Sequence, residues 1–373
     1  CAILLFPILG EDIRTIIYPA AINYASAEKM KLTLYAQPAI FMVQYATAKL
    51  WESWGLRPEA VAGHSLGEFV AAHLAGIFSL QDVLKVIVAR CRLMQALPGG
   101  SMLAIRISAE KLQPILPENL SIAAINSKDV IVVSGDNEAI AAYIRVLDEQ
   151  EIPCHLLENK IAFHSAMMDP VLQPFREIMQ SVTLHPPKLI FISALTGKQM
   201  STKELQNPEY WTAHIRKTVL FADAVDTLLE DYNFMIGIGP GNSLSPLFRR
   251  PCADKKAVFA HAEAPSGDKT SVYAGMLRIL GQLWQAGFKP DWKGFYADQN
   301  HTKIYLPPYA YDYKKCWVEP PATTTTDASF MAEKLVVAAP VQPKPIMTDM
   351  LTEQIKSILH EASGIDLQDM QPG

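Results

Sequence analysis

Between residues 37 and 54 the apolar positions fall at Ile40, Val43, Ala46, Ala48, Leu50 and Trp51, a spacing that lines one face of a 3.6-residue repeat and predicts a helix. The run Ala60-Val61-Ala62 is too short for a helix and predicts a buried strand. Two further helices are predicted over 69–77 and 80–97. The second carries an apolar row of Val83, Val86, Ile87, Leu93 and Met94, into which Arg90 falls. An arginine in such a row is either a snorkelling surface residue or a buried anion clamp.

Gly99-Gly100 interrupts this helical pattern, and the period changes after it. Met102-Leu103-Ala104-Ile105, the run from Leu120 to Ile125 and the run from Val130 to Gly135 read as strands, with helices around Lys111 and over 139–150. A last strand near Cys154-His155-Leu156-Leu157 completes a β-α-β-β-α-β order, the signature of a ferredoxin-like unit. Strand-like runs resume at Leu189-Ile190-Phe191-Ile192-Ser193 and Phe234-Met235-Ile236-Gly237-Ile238, so the unit is predicted to be an insertion in a larger domain. Beyond Ala262 aromatic and basic residues increase, and Leu306-Pro307-Pro308-Tyr309-Ala310-Tyr311 is too proline-interrupted for a regular element. Residues 320–347, with Thr323-Thr324-Thr325-Thr326, read as a flexible linker. Helical spacing returns with Met350, Ile355, Ile358 and Leu359.

A chain of 373 residues, 50% of them hydrophobic, is long enough for more than one structural unit and a substantial core. The net charge of −5 gives no basic footprint, so neither nucleic acid nor an anionic membrane is an expected partner. Five cysteines stand far apart without a C-x-x-C pair, which points to reduced thiols in a cytoplasmic protein and to no metal site. No apolar run reaches membrane-spanning length, and the start lacks a basic leader region. The first residue is Cys and the last three are Gln371-Pro372-Gly373, so a fragment of a longer polypeptide is expected.

The candidate chemistry centres on Gly63-His64-Ser65-Leu66-Gly67, between the predicted strand and the helix that begins near Phe69. Glycines two residues either side of a serine permit strained backbone angles and close strand-helix packing, so the hydroxyl would project beside the amides of a helix N-terminus. A glycine-rich connecting turn is the alternative. A serine hydroxyl needs a base, and of nine histidines three are relevant. His64 adjoins Ser65 but points elsewhere from the same turn, and His73, two turns on, reads as structural. His164, in Ile161-Ala162-Phe163-His164-Ser165, lies where the chain leaves the insertion, and such seams form clefts. From spacing alone, His164 as base competes with a buried structural histidine. No acidic partner stands out, so a Ser65–His164 dyad steadied by a backbone carbonyl is expected rather than a triad.

Together these residues resemble the malonyl-CoA:acyl-carrier-protein acyltransferase domains of modular polyketide synthases. The resemblance covers most of the chain. It rests on Tyr35-Ala36-Gln37-Pro38, the serine turn with Glu68-Phe69, Ala89-Arg90-Cys91-Arg92, Asn126-Ser127 with Val133-Ser134-Gly135, Ala162-Phe163-His164-Ser165, Tyr210-Trp211 with His214-Ile215-Arg216, and Gly239-Pro240-Gly241. It implies an α/β fold: an α/β-hydrolase-like large subdomain with a parallel sheet (1–97 and 164–262, truncated at its N-terminus) and an inserted ferredoxin-like α+β small subdomain (98–163). It further implies a post-acyltransferase linker over 263–319, an interdomain linker over 320–347 and the start of an acyl carrier protein domain over 348–373.

The activity so implied is a ping-pong transfer through an acyl ester on Ser65, with His164 as base and the Leu66 amide as an oxyanion donor. Arg90 corresponds to the family's clamp on the free carboxylate of a malonyl-type unit, and Gln37, His64, Asn126 and Phe163 join it as substrate-binding residues. Malonyl-specific members commonly carry H-A-F-H where methylmalonyl-specific ones carry Y-A-S-H; Phe163 favours malonyl, while Ile161 departs from both patterns. Rejecting one methyl group is worth only about 1–3 kcal/mol, and a methylmalonyl enzyme, a serine esterase or thioesterase, and a non-catalytic carrier-protein docking module remain alternatives. The implied reactants are malonyl-CoA and the phosphopantetheine thiol of an acyl carrier protein, with other synthase domains as partners and no bound cofactor. The family's G-Q-G-S-Q strand and loop, whose first glutamine adds to the oxyanion hole, has no counterpart before Tyr35, which implies a missing core strand. The family often has Glu before its G-P motif, where this chain has Gly237-Ile238-Gly239-Pro240; backbone carbonyls near Asn233 to Met235 are candidates to orient His164.

Overall fold

The structure is a computed structural model that describes residues 1–21, 24–261, 272–297 and 299. The chain divides into Cys1–Thr302 and Lys303–Gly373. The second unit, and with it the expected carrier-protein start, the 320–347 linker and residues 303–319 of the post-acyltransferase linker, lies outside the described residues.

Nine short strands are described: β1 (Ala60–Ala62), β2 (Ser101–Ile105), β3 (Ser121–Ser127), β4 (Val130–Gly135), β5 (Cys154–Leu156), β6 (Ile190–Ile192), β7 (Val219–Leu220), β8 (Phe234–Gly237) and β9 (Val258–His261). The inserted unit is the most regular part. Its sheet runs β5-β2-β4-β3, with β2 antiparallel to β4 and β5, and β3 antiparallel to β4, the ferredoxin-like arrangement. Leu103, Ile131 and Val133 pack with Ile140, Tyr143 and Leu147 of the amphipathic helix Asn137–Glu149 in a hydrophobic core of its own. Asp136 starts that helix by accepting a hydrogen bond from Ala139 N–H at 2.8 Å.

In the surrounding domain, β1 and β6 pair in parallel with Val61 opposite Phe191, and β8 and β9 pair in parallel with Ile236 opposite Ala260. Among the described residues no strand joins these pairs, so the expected parallel sheet stands as two pieces. Helices cover them, as parallel strands require. Thr33–Ser53, Gly67–Leu74, Leu80–Gln95 and Pro208–Arg216 meet in a core that holds Phe41, Phe69, Val86, Ile87 and Trp211. Trp211 sits edge-on to Phe78 at 4.9 Å and tilted against Phe69 at 5.3 Å, which seats the last of these helices against the one behind Ser65.

Two features connect the insertion to its host. Where the chain crosses, Gly100 N–H donates to Lys160 O at 3.0 Å, and a Cβ on Gly100 would come within 2.6 Å of Ala162 Cβ. Farther along, β7 pairs in parallel with β3, Ala124 opposite Val219, and extends the inserted sheet to five strands. Neither β7 nor β9 was expected from the sequence, nor were the helices Ala2–Leu9, Ile13–Ile17 and Tyr24–Met30. A two-residue strand has no period of its own; tertiary pairing makes it.

Candidate active site

β1 ends in the turn that carries Ser65, and the helix Gly67–Leu74 begins immediately after it. Of the two tasks expected of the flanking glycines, close packing falls to Gly63 and the strained backbone angle to neither. Neither has a positive φ; the left-handed residue is Ser65 itself, at φ 49°, a conformation that costs a non-glycine residue about 1 kcal/mol or more. A Cβ on Gly63 would lie 2.0 Å from Gly67 C and 2.2 Å from Glu68 N, whereas one on Gly67 would meet nothing within 4 Å. Gly63 is therefore required for close approach, and Gly67 is not.

His164 arrives from the seam of the insertion, also at positive φ, 56°. Its Nε2 lies 2.8 Å from Ser65 Oγ, and its Nδ1 lies 3.0 Å from Lys217 O. A carbonyl only accepts, so Nδ1 carries the proton and Nε2 presents its lone pair to the Ser65 hydroxyl. The orienting carbonyl belongs to Lys217, at the end of the helix Pro208–Arg216, not to the 233–235 segment expected from the sequence. That segment pairs with β9 instead. Burial pushes the His164 imidazolium down to about 3, with the positive charge of Arg90 adding to the effect, so the ring is neutral near pH 7.

Arg90 is 1% exposed, on the buried face of Leu80–Gln95. Its Nη1 donates to Gln37 Oε1, which also accepts from Cys91 Sγ at 3.3 Å. Its Nε has no hydrogen-bond partner, and no carboxylate pairs with it among the described residues. A buried guanidinium in that state carries a desolvation cost that an incoming carboxylate would offset. The guanidinium also lies 5.8 Å from the centre of the Phe69 ring.

His64 points away from Ser65, its Nε2 2.7 Å from Asn126 Oδ1 on β3, so these two residues tie the turn to the inserted unit. Phe163 is half-buried and packs on the main core beside His164. The Leu66 amide stands just before the helix Gly67–Leu74, with no acceptor among the described residues. His73 is structural, its Nδ1 3.0 Å from Phe78 O.

Sequence reasoning gave no role to Glu68, Tyr210, Ser193 or His214, which form a buried cluster behind the turn. Glu68 Oε2 accepts from Tyr210 OH at 2.8 Å, and its Oε1 accepts from Ala194 N–H. The only sequence signal was position: an acid in the first turn of a helix, ordinarily a solvent-facing partner of the helix dipole.

An α/β domain with an inserted ferredoxin-like unit and a serine on a strand-helix turn defines the class as an acyltransferase. The family model described as acyl transferase domain matches residues 21–270, and the chain belongs to that family. Among curated proteins, it is 34% identical over 308 residues to the polyketide synthase Pks15/1 of phenolphthiocerol synthesis from Mycobacterium marinum, covering 82% of this chain and 14% of that protein. It is 36% identical over 308 residues to polyketide synthase GfsB from Streptomyces halstedii, covering 80% of this chain and 6% of that one. The chain thus spans a small part of these relatives. Among solved structures, the acyl transferase domain of ZmaA aligns with TM-score 0.75 at 33% identity, over 82% of this chain and 72% of that one. The acyltransferase domain from the second module of the salinomycin polyketide synthase aligns with TM-score 0.73 at 32% identity, over 82% and 71%. Among the described residues no helix is long and apolar enough to cross a membrane.

Proposed function

We propose that this domain loads malonyl from malonyl-CoA onto the phosphopantetheine thiol of an acyl carrier protein in a polyketide synthase. The observation that carries the reading is the 2.8 Å contact between Ser65 Oγ and His164 Nε2, with Nδ1 held by a carbonyl. In the first half-reaction Ser65 gives its proton to His164 as Oγ bonds to the thioester carbon, and the Leu66 amide faces the developing oxyanion. Collapse breaks the carbon–sulfur bond, and His164 returns the proton to the departing CoA sulfur. The carrier thiol then repeats the sequence in reverse on the Ser65 ester.

Arg90, with Gln37 holding one arm of its guanidinium, is assigned to the free carboxylate of the extender unit. His64 and Asn126 support the reading as the pair that holds the inserted unit over the turn, and Phe163 crowds the α-carbon enough to favour malonyl over methylmalonyl. Incubation of the full-length polypeptide with malonyl-CoA should leave one malonyl group on Ser65 by mass spectrometry, and none on Ser65→Ala. Addition of carrier protein should discharge it faster than water does; rapid hydrolysis without the carrier would make the domain a thioesterase. Competition between malonyl-CoA and methylmalonyl-CoA tests the choice of extender.

A further inference from the structure

Glu68 is a carboxylate with no solvent exposure and, among the described residues, no lysine or arginine partner. Its hydrogen bonds reach both halves of the dyad. On one side, Glu68 N–H donates to Ser65 O at 3.0 Å, closing the turn that sets the nucleophile. On the other, Oε2 accepts a hydrogen bond at 2.8 Å from Tyr210 OH, a donor also within 2.6 Å of Ser193 Oγ, and stands 3.2 Å from His214 Nε2. Tyr210 and His214 belong to the helix Pro208–Arg216, and Lys217, which caps it, supplies the carbonyl that holds His164. The path from Ser65 through Glu68, that helix and His164 returns to Ser65.

We propose that Glu68 is a positioning residue for acyl transfer, its ionised carboxylate locking the helix behind Ser65 to the helix whose end orients His164. This inference rests on the acyl-transfer reading above. Charge matters because the ionised carboxylate accepts from Ala194 N–H at one oxygen and from Tyr210 OH at the other; a proton on Oε2 removes the acceptor facing Tyr210 and leaves its hydroxyl to Ser193 Oγ, which breaks the tie to that helix. The groups facing the carboxylate are Tyr210 and His214 from that helix, and Ser193 with the Ala194 and Leu195 N–H groups after β6. Burial keeps Tyr210 well above the usual phenol range and His214 well below the usual imidazole range. Glu68 is thus the member of the cluster that titrates near neutrality, burial having raised it to about 7.

The test is the rate of malonyl-Ser65 formation in the full-length polypeptide, followed by rapid quench and mass spectrometry from about pH 5.5 to about pH 8.5. The wild-type rate should fall on the acid side of about 7. Glu68→Gln should run about ten- to a hundred-fold slower at the alkaline end, with KM little changed and the acid limb gone. Tyr210→Phe removes a bond that lowers Glu68, so its limb should move to higher pH. An acid limb that persists in Glu68→Gln, or a wild-type rate in that variant, overturns the proposal; if Glu68→Gln fails to fold, the direction of the Tyr210→Phe shift decides. No malonyl adduct on the wild type overturns the acyl-transfer reading instead, and the same pH comparison with a fluorophosphonate that reacts at Ser65 then decides on Glu68.

Discussion

Burial drives Glu68 and His164 toward their neutral forms, and the two therefore place opposite pH dependences on folding. Glu68 rises from 4.5 to about 7, so it binds its proton more tightly folded than unfolded: its favourable contribution is complete below 4.5 and is lost as pH climbs through 7, a swing of roughly 3 kcal/mol. His164 falls from 6.5 to about 3, so the unfolded chain takes up its proton first and stability is lost as pH drops below 6.5. Urea unfolding of wild type and Glu68→Gln should separate them. The difference in their unfolding free energies should move by roughly 3 kcal/mol against the wild type between about pH 4 and about pH 8, because the His164 contribution cancels. Arg90→Ala should lower the preference for malonyl-CoA over acetyl-CoA by about a hundred-fold in kcat/KM, since it removes the one lysine or arginine that is buried among the described residues; retained preference in a competition assay would refute the clamp.

The strand-turn-helix behind Ser65 makes its demands at Gly63. A Cβ there would collide with main-chain atoms of Gly67 and Glu68 that no rotamer change can move. Gly63→Ala should therefore destabilise the domain by about 3 kcal/mol or abolish folding, whereas Gly67→Ala, with open space around it, should shift the thermal midpoint little and leave the turn intact. Differential scanning calorimetry of the two variants checks the contrast. These elements were legible because periodicity reports burial: the apolar rows predicted the helices that became Leu80–Gln95 and Asn137–Glu149, and β1 through β6 followed from short apolar runs. Periodicity is silent on what one backbone atom does. The Lys217 carbonyl has no side-chain signature, β7 exists only because β3 is beside it, and Glu68 looks like any acid in a first helical turn until the packing of Tyr210 and Ser193 encloses it.

At the scale of the molecule, the inserted unit is held by two crossing segments at Gly100 and Lys160, by His64 against Asn126, and by β7 along β3. Thr218 adds a hydrogen bond from its Oγ1 to Ile122 O at 2.7 Å. Val219→Pro should loosen this join without touching Ser65 or His164: the inserted unit should show faster amide exchange along β3, and acylation should slow, with the main core unchanged.

That short strand has a consequence for anyone recombining such domains. The strands β2 to β5 make a ferredoxin-like unit by topology, yet cutting out the stretch that carries them strips β7 from β3 and bares unpaired main-chain groups beside Ala124 and Ile125. Exposed edges of that kind recruit other chains. An exchange of the inserted unit that trims at its apparent ends would therefore produce a sticky graft, and a workable boundary has to carry 218–220 along with it.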